Sequence, residues 1–274
     1  MFRNPEYNLF EPTPYVYPRG YFQVQVLAAE RIFQLGFSPN LQSAILNYTV
    51  IYRHLVGHNP SRKGPDPKWI EFVRGLSKDG DITGQTWQFY TRQPHSIYHP
   101  EIISDDNQHF GGFIQKLAID KSTGDQKVEL HFSNQRRGQP KSDFSRIYVK
   151  ERTQDLTNLF QSVKLRMESD GTYHPKWVTL VSWMNNFPGV RVTLPNSFVE
   201  SETIVRPPDL NFRSNSLWGQ FLDNRGGVNY ERYAHFTNKL NRINDLNQLA
   251  DSLPLPVSSF RSDINIFFDR YNIK

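Results

Sequence analysis

The chain contains no cysteine. Disulfides, thiolate nucleophiles and cysteine-ligated zinc are thereby excluded, and several enzyme classes go with them. A reducing compartment suits such a composition, so the expected location is cytoplasmic. Long apolar runs are also missing: no window approaches the roughly 18 residues a spanning helix needs. The opening MFRNPEYNLFEPTPYVYPRG has neither a basic n-region nor an apolar h-region. The sequence therefore predicts a soluble chain, with no signal peptide and no membrane partner. Charge of one sign is scarce as well, since 32 basic and 27 acidic residues leave a formal net charge of +5. A mildly basic chain permits a polyanion partner or an anionic cofactor and requires neither.

Rings are what the chain has in quantity. Hydrophobic content is only 37%, yet there are 20 Phe, 13 Tyr and 5 Trp, so an aromatic-rich core is expected. A length of 274 residues suits one large domain or two modest ones. No internal repeat or low-complexity segment is visible.

Four prolines among tyrosines make residues 1–20 an extended arm. Residues 21–93 read as helical. Phe22, Val26, Ala29 and Phe33 recur at helical spacing before Gly36. Ser38 and Pro39 then open a helix with the stripe Leu41, Ile45, Tyr48, Tyr52 and Leu55, ending near Gly57. After the basic loop 58–68, Trp69–Leu76 and Thr83–Tyr90 read as short helices. Residues 94–195 form a strand-rich centre. FGGFIQKLAID and QKVELHFS alternate apolar and polar residues around the hairpin connection KSTGD. RIYV, WVTLVSWM and VRVTLP read as further strands, and a helix from Thr153 carries Leu156, Leu159, Phe160, Val163 and Met167 inward. Residues 196–274 return to helix, the last with the stripe Ile264, Phe267, Phe268 and Tyr271. The expected fold is α+β: a strand-rich central sheet with one interposed helix, flanked by N-terminal and C-terminal helical segments, in one compact unit.

The stretch KVELHFSNQRRGQPKSD, residues 127–143, concentrates the chemistry. On a strand, Val128, Leu130 and Phe132 share one face and Glu129 and His131 the other. A carboxylate and an imidazole two residues apart sit about 7 Å apart at the backbone, close enough to work on one substrate as base and partner. They serve equally well as ordinary polar residues on a solvated face. Directly after them, Gln135, Arg136, Arg137, Gly138 and Gln139 resemble the pyrophosphate-binding loop of the GNAT acyltransferase superfamily. That pattern runs Gln or Arg, two residues, Gly, one residue, then Gly or Ala, leaving a strand and entering a helix. Gln135 and Gly138 match, and Pro140 stands at the second small position. The resemblance implies an acyltransferase of small molecules using acetyl-CoA or another acyl-CoA, its phosphates held by residues 135–139. It also implies that Glu129 or His131 handles the proton.

Other readings stay open. Asp120 with Glu129-Leu130-His131 resembles the two-strand carboxylate arrangement of the PD-(D/E)xK nucleases, which would make the chain a divalent-metal nuclease. Arg136, Arg137, Lys141, Arg146, Tyr148, Lys150 and Arg152 form a basic, ring-containing run fit for a nucleic-acid partner. His54 with His58 and His95 with His99 have i,i+4 spacing, but neighbouring Gly57, Pro60, Pro94 and Pro100 spoil the helical geometry. No metal site is assigned. Trp183, Trp218, Asn185, Asn186, Gln220 and Asp223 either line a ligand pocket or are core rings with turn-capping amides.

Overall fold

The computed structural model describes residues 16–61, 64–77, 80–93, 107–132 and 145–274. Most of the expected N-terminal arm, the His95/His99 pair and the whole of Gln135, Arg136, Arg137, Gly138 and Gln139 lie outside the described residues.

The fold is α+β. Helices come first: α1 (Arg19–Gln34), α2 (Leu41–Tyr48), α3 (Ile51–Val56), α4 (Pro67–Gly75) and α5 (Ile82–Arg92). Strands β1 (Asn107–Phe110), β2 (Phe113–Ile119) and β3 (Gln126–Phe132) follow, then α6 (Val149–Ser169) and β4 (Trp177–Ser182). Beyond them come α7 (Pro188–Arg191), α8 (Asn196–Glu200), β5 (Thr203–Ile204), α9 (Asn215–Trp218), α10 (Tyr230–Leu240), α11 (Leu246–Ser252), β6 (Ser258–Asp263) and α12 (Asn265–Arg270).

The expected helix over 38–57 is two helices, for a local reason. Thr49 is extended (φ −134°, ψ 171°), and its hydroxyl donates to the Ile45 carbonyl at 2.6 Å and accepts from the Ile51 amide at 3.1 Å. The buried Gln25 Oε1 accepts from the Val50 amide at 3.1 Å. These side chains satisfy the amides that a continuous helix would have bonded. The first turn is capped by Asn40, whose Oδ1 accepts from the Ser43 amide at 2.7 Å, and not by Ser38. Asn40→Ala should therefore lower folding stability by about 1 kcal/mol. An unchanged denaturant midpoint would show that the cap is idle. In α1 the inward stripe uses Ile32, while Phe33 is exposed.

The sheet has the order β1-β2-β3-β4-β6-β5. Every neighbouring pair is antiparallel except β3 and β4, which run parallel with α6 as their crossover. Three sequence expectations change here. RIYV is not a strand, because Arg146–Tyr148 is a 3-10 turn that leads straight into α6, four residues before Thr153. VRVTLP is α7 and the turn after it, since Pro188 fits the first turn of a helix and Val190 and Leu194 are buried four apart. SSFRSD, inside the segment read as helical, is β6, and α12 begins only at Asn265.

One sheet face is dry. Phe113, Val128, Leu130, Val178, Leu180 and Phe260 pack on Leu156, Leu159, Phe160 and Val163 of α6 and on Phe267, Phe268 and Tyr271 around α12. Phe160 stacks on Phe267 with ring centroids 4.4 Å apart. The other face carries the cross-strand row Lys116, Glu129, Thr179 and Arg261 and is open to solvent at Val181, 51% exposed. An antiparallel-dominated sheet tolerates one wet face. A second core, built from α1–α5 and α9–α11, includes Trp183 and Val257, which follow β4 and precede β6. This helical layer thus sits over the carboxyl end of β4, with Met184 and Phe187 packed against both cores.

Candidate functional site

The β3–β4 pairing runs from Lys127↔Trp177 to Leu130↔Leu180 and stops. Both strands go on, β3 to Phe132 held by β2 and β4 to Ser182 held by β6. The only parallel pair of the described sheet therefore parts at its carboxyl ends. The region outside the carboxyl ends of parallel strands is where open sheets bind ligands.

Glu129 and His131 stand at that edge on the wet face, as the alternation of β3 predicts, while Val128, Leu130 and Phe132 face the dry core. His131 Nε2 lies 4.0 Å from Glu129 Oε2, and Lys127 Nζ lies 3.0 Å from Glu129 Oε1. Their side chains are 29% (Glu129) and 48% (His131) exposed, so a ligand can reach both. A carboxylate beside an imidazole can accept a proton and share the resulting charge.

The nuclease geometry fails. Asp120 lies past the far end of β2, four residues from Lys116, the partner of Glu129, which is roughly 13 Å at strand rise. One ion cannot bridge that gap. Asp120 is instead occupied in the hairpin turn: the Ser122 hydroxyl and amide donate to Oδ1 at 2.5 and 2.9 Å, and Arg261 lies 3.3 Å from Oδ2. Those hydrogen bonds hold its carboxyl below the usual carboxylate range, with Arg261 assisting. Among the described residues no group of three or more His, Asp or Glu could hold a metal ion.

His54 and His58 do not converge either. His54 Nε2 lies 3.3 Å from the Tyr21 hydroxyl, in a cluster with Tyr17 and Tyr90. His58 lies past the left-handed Gly57 (φ +94°) and turns to Asp66 Oδ2 at 3.3 Å.

The basic run loses a member. Arg146 and Lys150 are exposed, but Arg152 is 2% exposed and cannot touch a polyanion. Its Nη1 lies 2.8 Å from Asp155 Oδ2 and its Nη2 2.7 Å from Glu151 Oε1. Asp155 Oδ2 also accepts from the Gly112 amide at 3.0 Å, tying α6 to the β1–β2 turn. Gly111 (φ +54°) and Gly112 are required there, because a Cβ on either would overlap Asp155 or Arg152. This lock holds the strands and the first turns of α6 together on either side of residues 133–148. Nothing in the local sequence marks it, since the glycines lie forty residues upstream of the arginine.

The Trp and amide group resolves as core. Trp218 is 1% exposed, and Asn185 and Gln220 are fully buried. Asn185 Nδ2 donates to the Ser258 carbonyl at 2.9 Å, fastening the end of β4 to the start of β6. Gln220 Nε2 donates to the Leu217 carbonyl and its Oε1 accepts from the Leu255 amide, both at 2.9 Å. Asn186 donates to Trp183 and Pro256 carbonyls, and Asp223 caps the turn before Gly227.

No protein-family model, curated protein or solved structure matches this chain. No helix among the described residues is long and apolar enough to cross a membrane.

Proposed function

We propose that the chain is an acyl-CoA-dependent acyltransferase of the GNAT type, working on a small-molecule amine at the carboxyl ends of β3 and β4. The observation that carries this reading is the parting of the parallel pair beyond Leu130↔Leu180, with Glu129 and His131 on its accessible edge. The element order the resemblance asks for is strand, loop, helix, strand. Here it runs β3, a stretch containing Gln135 to Gln139, α6 and β4. On this reading Gln135, Arg136, Arg137, Gly138 and Gln139 hold the pyrophosphate through backbone amides and two guanidinium groups, ahead of the start of α6. The amine nitrogen bonds to the thioester carbonyl carbon and the carbon–sulfur bond breaks. Glu129 or the adjoining His131 takes the proton from the nitrogen, and the departing thiolate is protonated in turn.

Acetyl-CoA should raise the melting temperature by several degrees, since a ligand held at 100 times its Kd adds about 2.7 kcal/mol to the folded state. Arg136→Ala with Arg137→Ala should remove most of that rise. A wild-type protein that no acyl-CoA stabilises would sink the reading, and an equal rise in the double variant would remove the arginines from it. If single-stranded DNA stabilises instead, with an effect that collapses as salt increases, the exposed basic residues serve a nucleic acid.

A further inference from the structure

Arg232, in the first turn of α10, has an unusual setting. Its guanidinium carbon lies 5.3 Å from the centre of the Trp183 ring and 5.9 Å from that of Phe187. Its Nη1 donates to the Gln220 carbonyl at 2.9 Å, and its backbone amide to Asn229 Oδ1 at 3.1 Å. Among the described residues it makes no ion pair. Glu231, its neighbour in sequence, forms no ion pair with it, but its carboxylate still favours the charged guanidinium from a distance. Half-buried as it is, the cation is partly stripped of water, and burial pulls its pKa below the ordinary arginine value. A partly desolvated guanidinium with no ion-pair partner among the described residues gains from an anion that enters.

Its place in the fold gives this meaning. Ser182 is extended and buried on the dry face, so Trp183, the next residue, leaves β4 toward the face that carries Glu129 and His131. Trp183 lies three residues past the last β3–β4 pair and His131 one, which puts the ring roughly 7 Å beyond His131 along the strand direction. Arg232, over the Trp183 and Phe187 rings, therefore lies beyond the carboxyl end of β4. With Nη1 engaged, the Nε and Nη2 edge is left for a ligand. A guanidinium laid on aromatic rings presents that edge in one plane, the geometry that pairs bidentately with a carboxylate.

We propose that Arg232 anchors a carboxylate of the acceptor, so that the substrate is an amine of the amino-acid class. The amine half rests on the acyltransferase reading above; the carboxylate half rests on Arg232 alone. The test is a thermal-shift and calorimetric titration of the wild type, Arg232→Gln and Arg232→Lys with free L-amino acids and with their carboxamides, and separately with acetyl-CoA. Arg232→Gln keeps a side-chain donor near Gln220 while removing the charge. The expected result is that at least one free amino acid binds the wild type, that its carboxamide binds at least tenfold more weakly, and that Arg232→Gln loses the same factor. Arg232→Lys should restore part of it, and acetyl-CoA should shift all three proteins alike. In turnover, Arg232→Gln should raise KM for the amino acid about tenfold and leave kcat and the KM for acetyl-CoA near wild type. Equal binding of acid and carboxamide, or no amino acid bound at all, overturns the proposal. So does loss of the acetyl-CoA shift in Arg232→Gln, which would assign the arginine to the donor's phosphates. Amino-acid binding that depends on Arg232, with no response to acetyl-CoA, would leave the anchor standing and remove the acyltransferase reading.

Discussion

Arg152→Ala should unfold the protein at a melting temperature roughly 10 °C lower, the consequence of losing about 3–5 kcal/mol when one partner of a buried ion pair is removed. The loss has a definite anatomy. Arg152 is buried beneath the Gly111–Gly112 turn, where it meets Asp155 and Glu151. Without the arginine, the Asp155 carboxylate stays against the Gly112 amide with no cation beside it, and the guanidinium leaves a void. Glu151 is half exposed and can turn to water, so its share of the penalty is small. Asp155→Asn in the same background separates the contributions. If the charge is the cause, the double variant should recover part of what Arg152→Ala loses. A single-variant loss below about 1 kcal/mol by denaturant titration would mean the buried guanidinium is not a lock, since a removed buried partner costs several times that.

Glu129→Gln should lower kcat of the proposed acyl transfer by about 10²–10⁴-fold, the usual contribution of a positioned general base. Acetyl-CoA should still bind it normally, because on the proposed reading Glu129, on the wet face of β3, handles the acceptor's proton and does not hold the donor's phosphates. Stability should change by no more than about 1 kcal/mol, since the pairing with Lys127 is a partly solvated one. The measurement is thiol release from acetyl-CoA in the presence of amine, followed as a function of pH. A variant within tenfold of wild type would move the base to His131 or elsewhere. His131→Asn, 4.0 Å from the carboxylate in the native protein, distinguishes the two.

What the sequence made legible follows from the range of the forces involved. The β2–β3 hairpin was readable because its alternation and its KSTGD connection are local, and the juxtaposition of Glu129 with His131 follows from the period of a strand alone. The inward stripe of α6, Leu156, Leu159, Phe160 and Val163, was readable for the same reason. β6 was not. Its inward positions are Ser258, Phe260 and Ser262, and serine at a buried strand position gives no apolar signal. The strand exists because Asn185 and the β4 backbone, some seventy residues upstream, receive it. VRVTLP misled in the opposite direction: its β-branched residues look like a strand, and flanking Pro188 and Pro195 turn it aside. Arg152 and Arg232 look alike in the sequence, as basic residues on polar helices. Only distant partners, Gly112 for one and Trp183 for the other, make one a buried tie and the other a cation over rings.

The placement of β6 between β4 and β5 has a consequence for how the chain is made. During synthesis β1, β2, β3, α6 and β4 emerge first, and β4 then presents an uncovered flank until residues 258–263 arrive. Through that interval the nascent chain carries an edge open to neighbouring polypeptides, and the ribosome must deliver the whole stretch from residue 183 to residue 263 before the contact closes. Such distant pairing favours slow acquisition of the native state, with β4 left unsealed on one flank until its late partner is made.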